Sequence, residues 1–134
     1  MAAPRTILII STPNSGTSRL KAVLRRLTTN FELETRSLEQ VGEIDYSEYS
    51  LILLDATHSS VNSFGVCNLI KQYCQQKVPI VMLGQDESLK TIVEAYKNGA
   101  DYYIPWQETS KEAQFLSMKH IIQRATYQFG RVSA

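Results

Sequence analysis

The sequence predicts a doubly wound α/β domain, a five-stranded parallel sheet in the order 2-1-3-4-5 with helices on both faces. Three observations carry that expectation. Short apolar runs, Ile7 to Ile10, Leu51 to Leu54 and Val78 to Leu83, have the length and composition of strands buried on both faces. Between and after them the apolar residues change to helical spacing, so strands and helices alternate. The connecting segments have the length that right-handed βαβ crossovers require.

Taken in order, Ile7 to Ile10 forms the first strand, and Leu20, Val23, Leu24 and Leu27 mark one stripe of the helix after it. Phe31 to Leu38, with Phe31, Leu33 and the β-branched Thr35 alternating, reads as an edge strand, and Val41 to Ile44 as a stunted helix or turn. Leu51 to Leu54 is the third strand, followed by a helix striped by Val66, Leu69, Ile70 and Tyr73. Val78 to Leu83 is the fourth, followed by Leu89, Ile92, Val93 and Tyr96. A fifth strand precedes a last helix marked by Phe115, Met118, Ile122 and Ala125. The stripe ends near residue 126, so residues 1–126 are expected to form the domain and 127–134 to begin a linker.

The 134 residues, 43% hydrophobic and 20% charged, suit one domain with one core. Fourteen Lys and Arg against thirteen Asp and Glu give a net charge of +1, without the basic block that tracks a nucleic-acid backbone. Direct nucleic-acid binding is not expected. Cys67 and Cys74 fall on one helix, where a rise of about 1.5 Å per residue separates them by roughly 10 Å, too far to bridge. They read as reduced packing thiols of a cytoplasmic protein. The run Ile7 to Ile10 is far short of the roughly 20 residues of a membrane span. His58 and His120 lack metal-ligand spacing and read as surface residues.

Asn98-Gly99-Ala100-Asp101-Tyr102-Tyr103-Ile104-Pro105-Trp106 resembles the fifth strand of response-regulator receiver domains, usually Gly-Ala-Asp-x-Tyr-x-x-Lys-Pro. Leu51-Ile52-Leu53-Leu54-Asp55 is similar to the strand that carries their phosphorylated aspartate. The resemblance runs from Thr6 to about Arg124 and implies the flavodoxin-like, CheY-like form of the doubly wound sheet. It places the site beyond the carboxyl ends of the central strands. There the chain departs from the family. Ser11 and Thr12 stand where receivers hold Mg²⁺ with two acidic residues, Gly84 where they carry Thr or Ser, and Trp106 where they carry the phosphate-binding lysine. Two hydroxyls are poor Mg²⁺ ligands, and an indole N–H is a neutral donor. Asp55 alone is retained, and Pro105 precedes the lost lysine's position instead of following it. The resemblance therefore implies a vestigial phosphorylation site of Asp55, Ser11, Thr12, Gly84 and Trp106, with no catalytic activity, metal or cofactor.

Each of these residues also has a plainer role. Asp55 suits a strand-end carboxylate bonded by Thr12 and backbone N–H groups. Tyr103 stands where receivers carry an aromatic that swings between inward and outward rotamers, and equally suits a fixed amphipathic residue. Trp106 is expected to fill the space left beside Gly84, with an interaction surface as the alternative. The loop Thr12-Pro13-Asn14-Ser15-Gly16-Thr17 is similar to the phosphosulfate loop of sulfotransferases and, more loosely, to the FMN-phosphate loop of flavodoxins, which makes a flavodoxin-like or nucleotide-binding domain the rival. Asn14 replaces the lysine of the former, and Ser15 or Asn14 equally suits a helix cap.

The resemblance implies a pseudo-receiver that signals by contact with a protein partner, by homodimerisation or through an attached C-terminal output domain. Receivers commonly dimerise through their last strand and last two helices. Here that face offers Lys90, Glu94, Lys97, Asp101, Tyr102, Lys111 and Lys119, a mixed-charge set suited to pairing or to plain solvation. The densest basic cluster lies instead on the first helix, at Arg19, Lys21, Arg25 and Arg26.

Overall fold

Strands β1 (Thr6–Ser11), β3 (Leu51–Asp55) and β4 (Ile80–Gly84) are the interior of a five-stranded parallel sheet edged by β2 (Glu32–Ser37) and β5 (Tyr102–Pro105). The order is β2-β1-β3-β4-β5, as the crossover pattern requires, and this is the flavodoxin-like, CheY-like arrangement. The computed structural model describes residues 6–11, 17–27, 31–56, 63–74, 78–86, 88–106 and 111–129.

Period-two alternation splits the interior strands between two cores. Leu8 and Ile10 of β1 join Ile52, Leu54, Ile80 and Met82 on one face, while Ile7 and Ile9 join Leu51, Leu53, Val81 and Leu83 on the other. The first core is closed by α2 (Ser63–Cys74), α3 (Leu89–Lys97) and two 3-10 helices, Leu38–Glu43 and Tyr46–Glu48. The second is closed by α1 (Thr17–Leu27) and α4 (Lys111–Phe129). Full burial of one Leu or Ile contributes about 1.5–3 kcal/mol, so β1, β3 and β4, buried at every residue from 7 to 11, 51 to 55 and 80 to 84, anchor the domain.

The stunted helix expected at Val41 to Ile44 is the 3-10 pair. Val41 and Tyr46 are its buried anchors, and the Tyr46 hydroxyl donates to the Val41 carbonyl at 2.7 Å. Two helical stripes face differently from expectation. On α2 the buried residues are Cys67, Ile70 and Cys74, whereas Leu69 and Tyr73 are exposed. On α3 only Ala95 is fully buried, and Leu89, Val93 and Tyr96 lie outside at 75%, 43% and 47% exposure. A small residue lets α3 approach the sheet closely, which turns its larger apolar side chains outward. Helix α4 continues to Phe129, beyond the loss of its stripe near residue 126.

Candidate functional site

The carboxyl ends of the strands bring the sequence-selected positions into one row. Ser11 stands opposite Asp55, Asp55 opposite Leu83, and Gly84 opposite Pro105. The Ala56 N–H donates to the Leu83 carbonyl at 2.8 Å, and the Trp106 N–H to the Gly84 carbonyl at 2.6 Å, so the pairing extends past the last strand residues. Ser11 and Asp55 are both buried. Thr12, the rest of the 12–16 loop and His58 lie outside the described residues.

Strand parity decides what covers Gly84. Met82 faces the first core and pairs with Tyr103, so a side chain at 84 would point to the same face as Tyr103. The Tyr103 ring lies there: a Cβ added at Gly84 would sit 2.8 Å from its Cζ, 2.9 Å from its Cε2 and closer still to its hydroxyl. Trp106 has the parity of Ile104 and packs with it in the second core, beneath α1 and α4, at 7% exposure. The expectation that Trp106 fills the space beside Gly84 is thereby corrected, since Tyr103 occupies it and Trp106 faces the other side of the sheet.

Tyr103 also reaches the next element. Its hydroxyl donates to the Asp86 carbonyl at 2.8 Å. Burial, and after it the charge of Asp86, raise its pKa above the ordinary phenol value. Asp86 in turn accepts from the Thr91 hydroxyl, from the Ser88 N–H at 2.8 Å and from the Ser88 hydroxyl, and these bonds lower its pKa. Ser88 is the N-cap of α3 and accepts from the Thr91 N–H at 3.3 Å. A chain of hydrogen bonds thus joins β5 to the start of α3. Sequence reasoning missed this link, although Ser88 directly before the stripe is an N-cap signal.

The residues of the expected interaction face divide. Lys90, Glu94 and Lys97 are exposed on α3, Lys119 is exposed on α4, and the Lys111 side chain lies outside the described set. Tyr102 is half-buried against the second core. Asp101 is engaged inside the fold, with the Ile80 N–H at 2.8 Å and the Lys71 ammonium at 3.2 Å. The Lys71 stem lies over Gly99, whose φ of 103° and whose crowding by Lys71 Cγ and Cβ, 2.8 and 2.9 Å from an added Cβ, both require glycine. Gly99-Ala100-Asp101 therefore builds the turn into β5 and takes no part in the row of strand ends. Asn98 N–H and side chain both bond the Glu94 carbonyl, closing α3.

Cys67 and Cys74 are free and buried, and burial pushes the Cys67 thiol up to about 12. His120 is exposed. Among the described residues no group of three or more His, Cys, Asp or Glu is placed to hold a metal ion. Nor is any described helix long and apolar enough to cross a membrane.

No family model and no curated protein matches the chain. Solved structures do. A protein of Burkholderia pseudomallei described as pilus assembly-related is similar at a TM-score of 0.72 and 12% identity, over 96% of this chain and 93% of that one. A two-component response regulator of Clostridium difficile matches at 0.67 and 24%, over 89% and 96%. The response regulator DrrB of Thermotoga maritima, an OmpR/PhoB homologue, matches at 0.66 and 16%, over 90% of this chain and 54% of its own. Identities this low establish a shared fold, that of response-regulator receiver domains.

Proposed function

We propose that this chain is a receiver-type signalling module that works without phosphorylation, through contact with a protein partner or an attached output domain. The observation that carries the reading is the composition of the strand-end row. Asp55 is flanked across the sheet by Ser11 and Leu83, Gly84 lies under Tyr103, and Trp106 points into the opposite core. Hydrogen bonds to a charged group contribute about 1.5–3 kcal/mol each, so a phosphoryl group here lacks the stabilisation that a hydroxyl at 84 and an ammonium at 106 would supply. What the fold offers a partner instead is α3, where Leu89, Val93 and Tyr96 are exposed beside Lys90, Glu94 and Lys97. DrrB, of which the match covers 54%, supports a module joined to further sequence.

The test is incubation with acetyl phosphate, or with beryllofluoride and Mg²⁺, followed by intact mass and by the fluorescence of Trp106. Neither should change. A stable adduct that disappears in Asp55→Ala would overturn the reading.

A further inference from the structure

The charges of this nearly neutral chain are sorted by the sheet. Residues 32–48 hold six carboxylates, Glu32, Glu34, Glu39, Glu43, Asp45 and Glu48, and one base, Arg36. Helix α1 holds four bases, Arg19, Lys21, Arg25 and Arg26, and no acid. These segments lead into and out of the same edge strand, β2. They lie on opposite faces: α1 packs through Val23 and Leu24 into the second core, the 3-10 pair through Val41 and Tyr46 into the first.

Among the described residues little of this charge is neutralised. Glu34 is held by Arg36 and by the Tyr49 hydroxyl, Asp45 caps Ser47, and Arg26 lies 4.3 Å over the Phe115 ring. Glu32, Glu39, Glu43 and Glu48 are exposed, as are Arg25 and Arg26, and Lys21 is half-buried. Among the described residues the ion pairs are Arg36 with Glu34 and Lys71 with Asp101, so these exposed carboxylates and Lys21, Arg25 and Arg26 have no ionic partner there.

We propose that the β2 edge receives a second copy of this chain, related by a two-fold axis running along the strand. Such an axis turns the sheet over, so the basic α1 of each copy comes beside the acidic 3-10 pair of the other, and the contact occurs twice. A two-fold axis perpendicular to the sheet would set α1 against α1 and is rejected by like charge. The arrangement closes on itself, as an isologous dimer must, and covers a strand paired on one side only. It goes beyond the proposed function and leaves α3, at the far side of the sheet, open to another protein.

The test uses the full chain in sedimentation velocity. The wild type should be dimeric at about 50 mM salt, with a dissociation constant at least about tenfold weaker at about 500 mM. Lys21→Glu with Arg25→Glu cancels the positive charge of α1, and Glu39→Lys with Glu43→Lys cancels the negative charge of residues 38–48, while a mixture keeps one intact basic α1 opposite one intact acidic segment. Each double variant alone should be monomeric at low salt. Mixed in equal amounts they should form a heterodimer, which also shows that both are folded. A wild type monomeric at low salt, a dimer that either variant retains, or a mixture that stays monomeric would each overturn the proposal. So would wild-type α1 binding duplex DNA at low salt with no dimer formed. A phosphoryl adduct on Asp55 would end the proposed function and leave these outcomes untouched.

Discussion

Tyr103 occupies ground that no residue larger than glycine at position 84 can share. Gly84→Thr must therefore expel the ring, overpack it or shift β4, and the expected loss is about 1–3 kcal/mol in urea denaturation. Most of that loss should vanish in a Tyr103→Ala background, because two residues competing for one volume couple strongly. Equal losses in both backgrounds would show that Tyr103 is not what excludes a side chain. Much of the residue scale was legible: Gly99-Ala100-Asp101 pointed to the fold because a positive φ, a buried small residue and a carboxylate for the Ile80 N–H make the turn into β5. The neighbour of Gly84 was not legible. Choosing between Tyr103 and Trp106 requires the register of β4 on β5, and adjacent residues on a strand point to opposite faces.

Helix α3 shows how an element can be located by its sequence and still be misoriented. Leu89, Ile92, Val93 and Tyr96 gave the correct helix, but Ala95 is what packs, and periodicity alone does not rank a wide apolar stripe against a narrow one. The start of this helix rests on Asp86, whose charged form is favoured by Thr91 and Ser88. A carboxyl with a depressed folded pKa stabilises above its unfolded value, and that contribution is lost as pH falls through the folded value. The ordinary value is 3.8, so the helix start should loosen only below it. Amide shifts and exchange at Ser88 and Thr91, followed from about pH 5 to about pH 2, should show this step, and Asp86→Asn should remove it. A step unchanged in Asp86→Asn would assign the titration to another group.

At the scale of the molecule, strand order was legible because three buried runs and short crossovers leave few right-handed solutions. The first of the two cores it encloses buries both cysteines, with the Cys74 thiol against the Lys71 and Val78 carbonyls. A thiol pushed up to about 12 and fully enclosed, as Cys67 is, reacts only when the structure opens. Labelling of Cys67 in a Cys74→Ala variant should therefore track denaturant as global unfolding does. Rapid labelling of the native protein would show that α2 opens on its own. The seating of Tyr103 and Trp106 on opposite faces sets what a substitution at 84 or at 106 would cost. A threonine gained at 84 collides with Tyr103, and a lysine gained at 106 exchanges a buried indole, at about 3–5 kcal/mol, for an ammonium among Ile7, Ile9 and Leu24. The two substitutions strain different cores, so their costs should add, and a chain given both groups must be repacked on each face of the sheet separately.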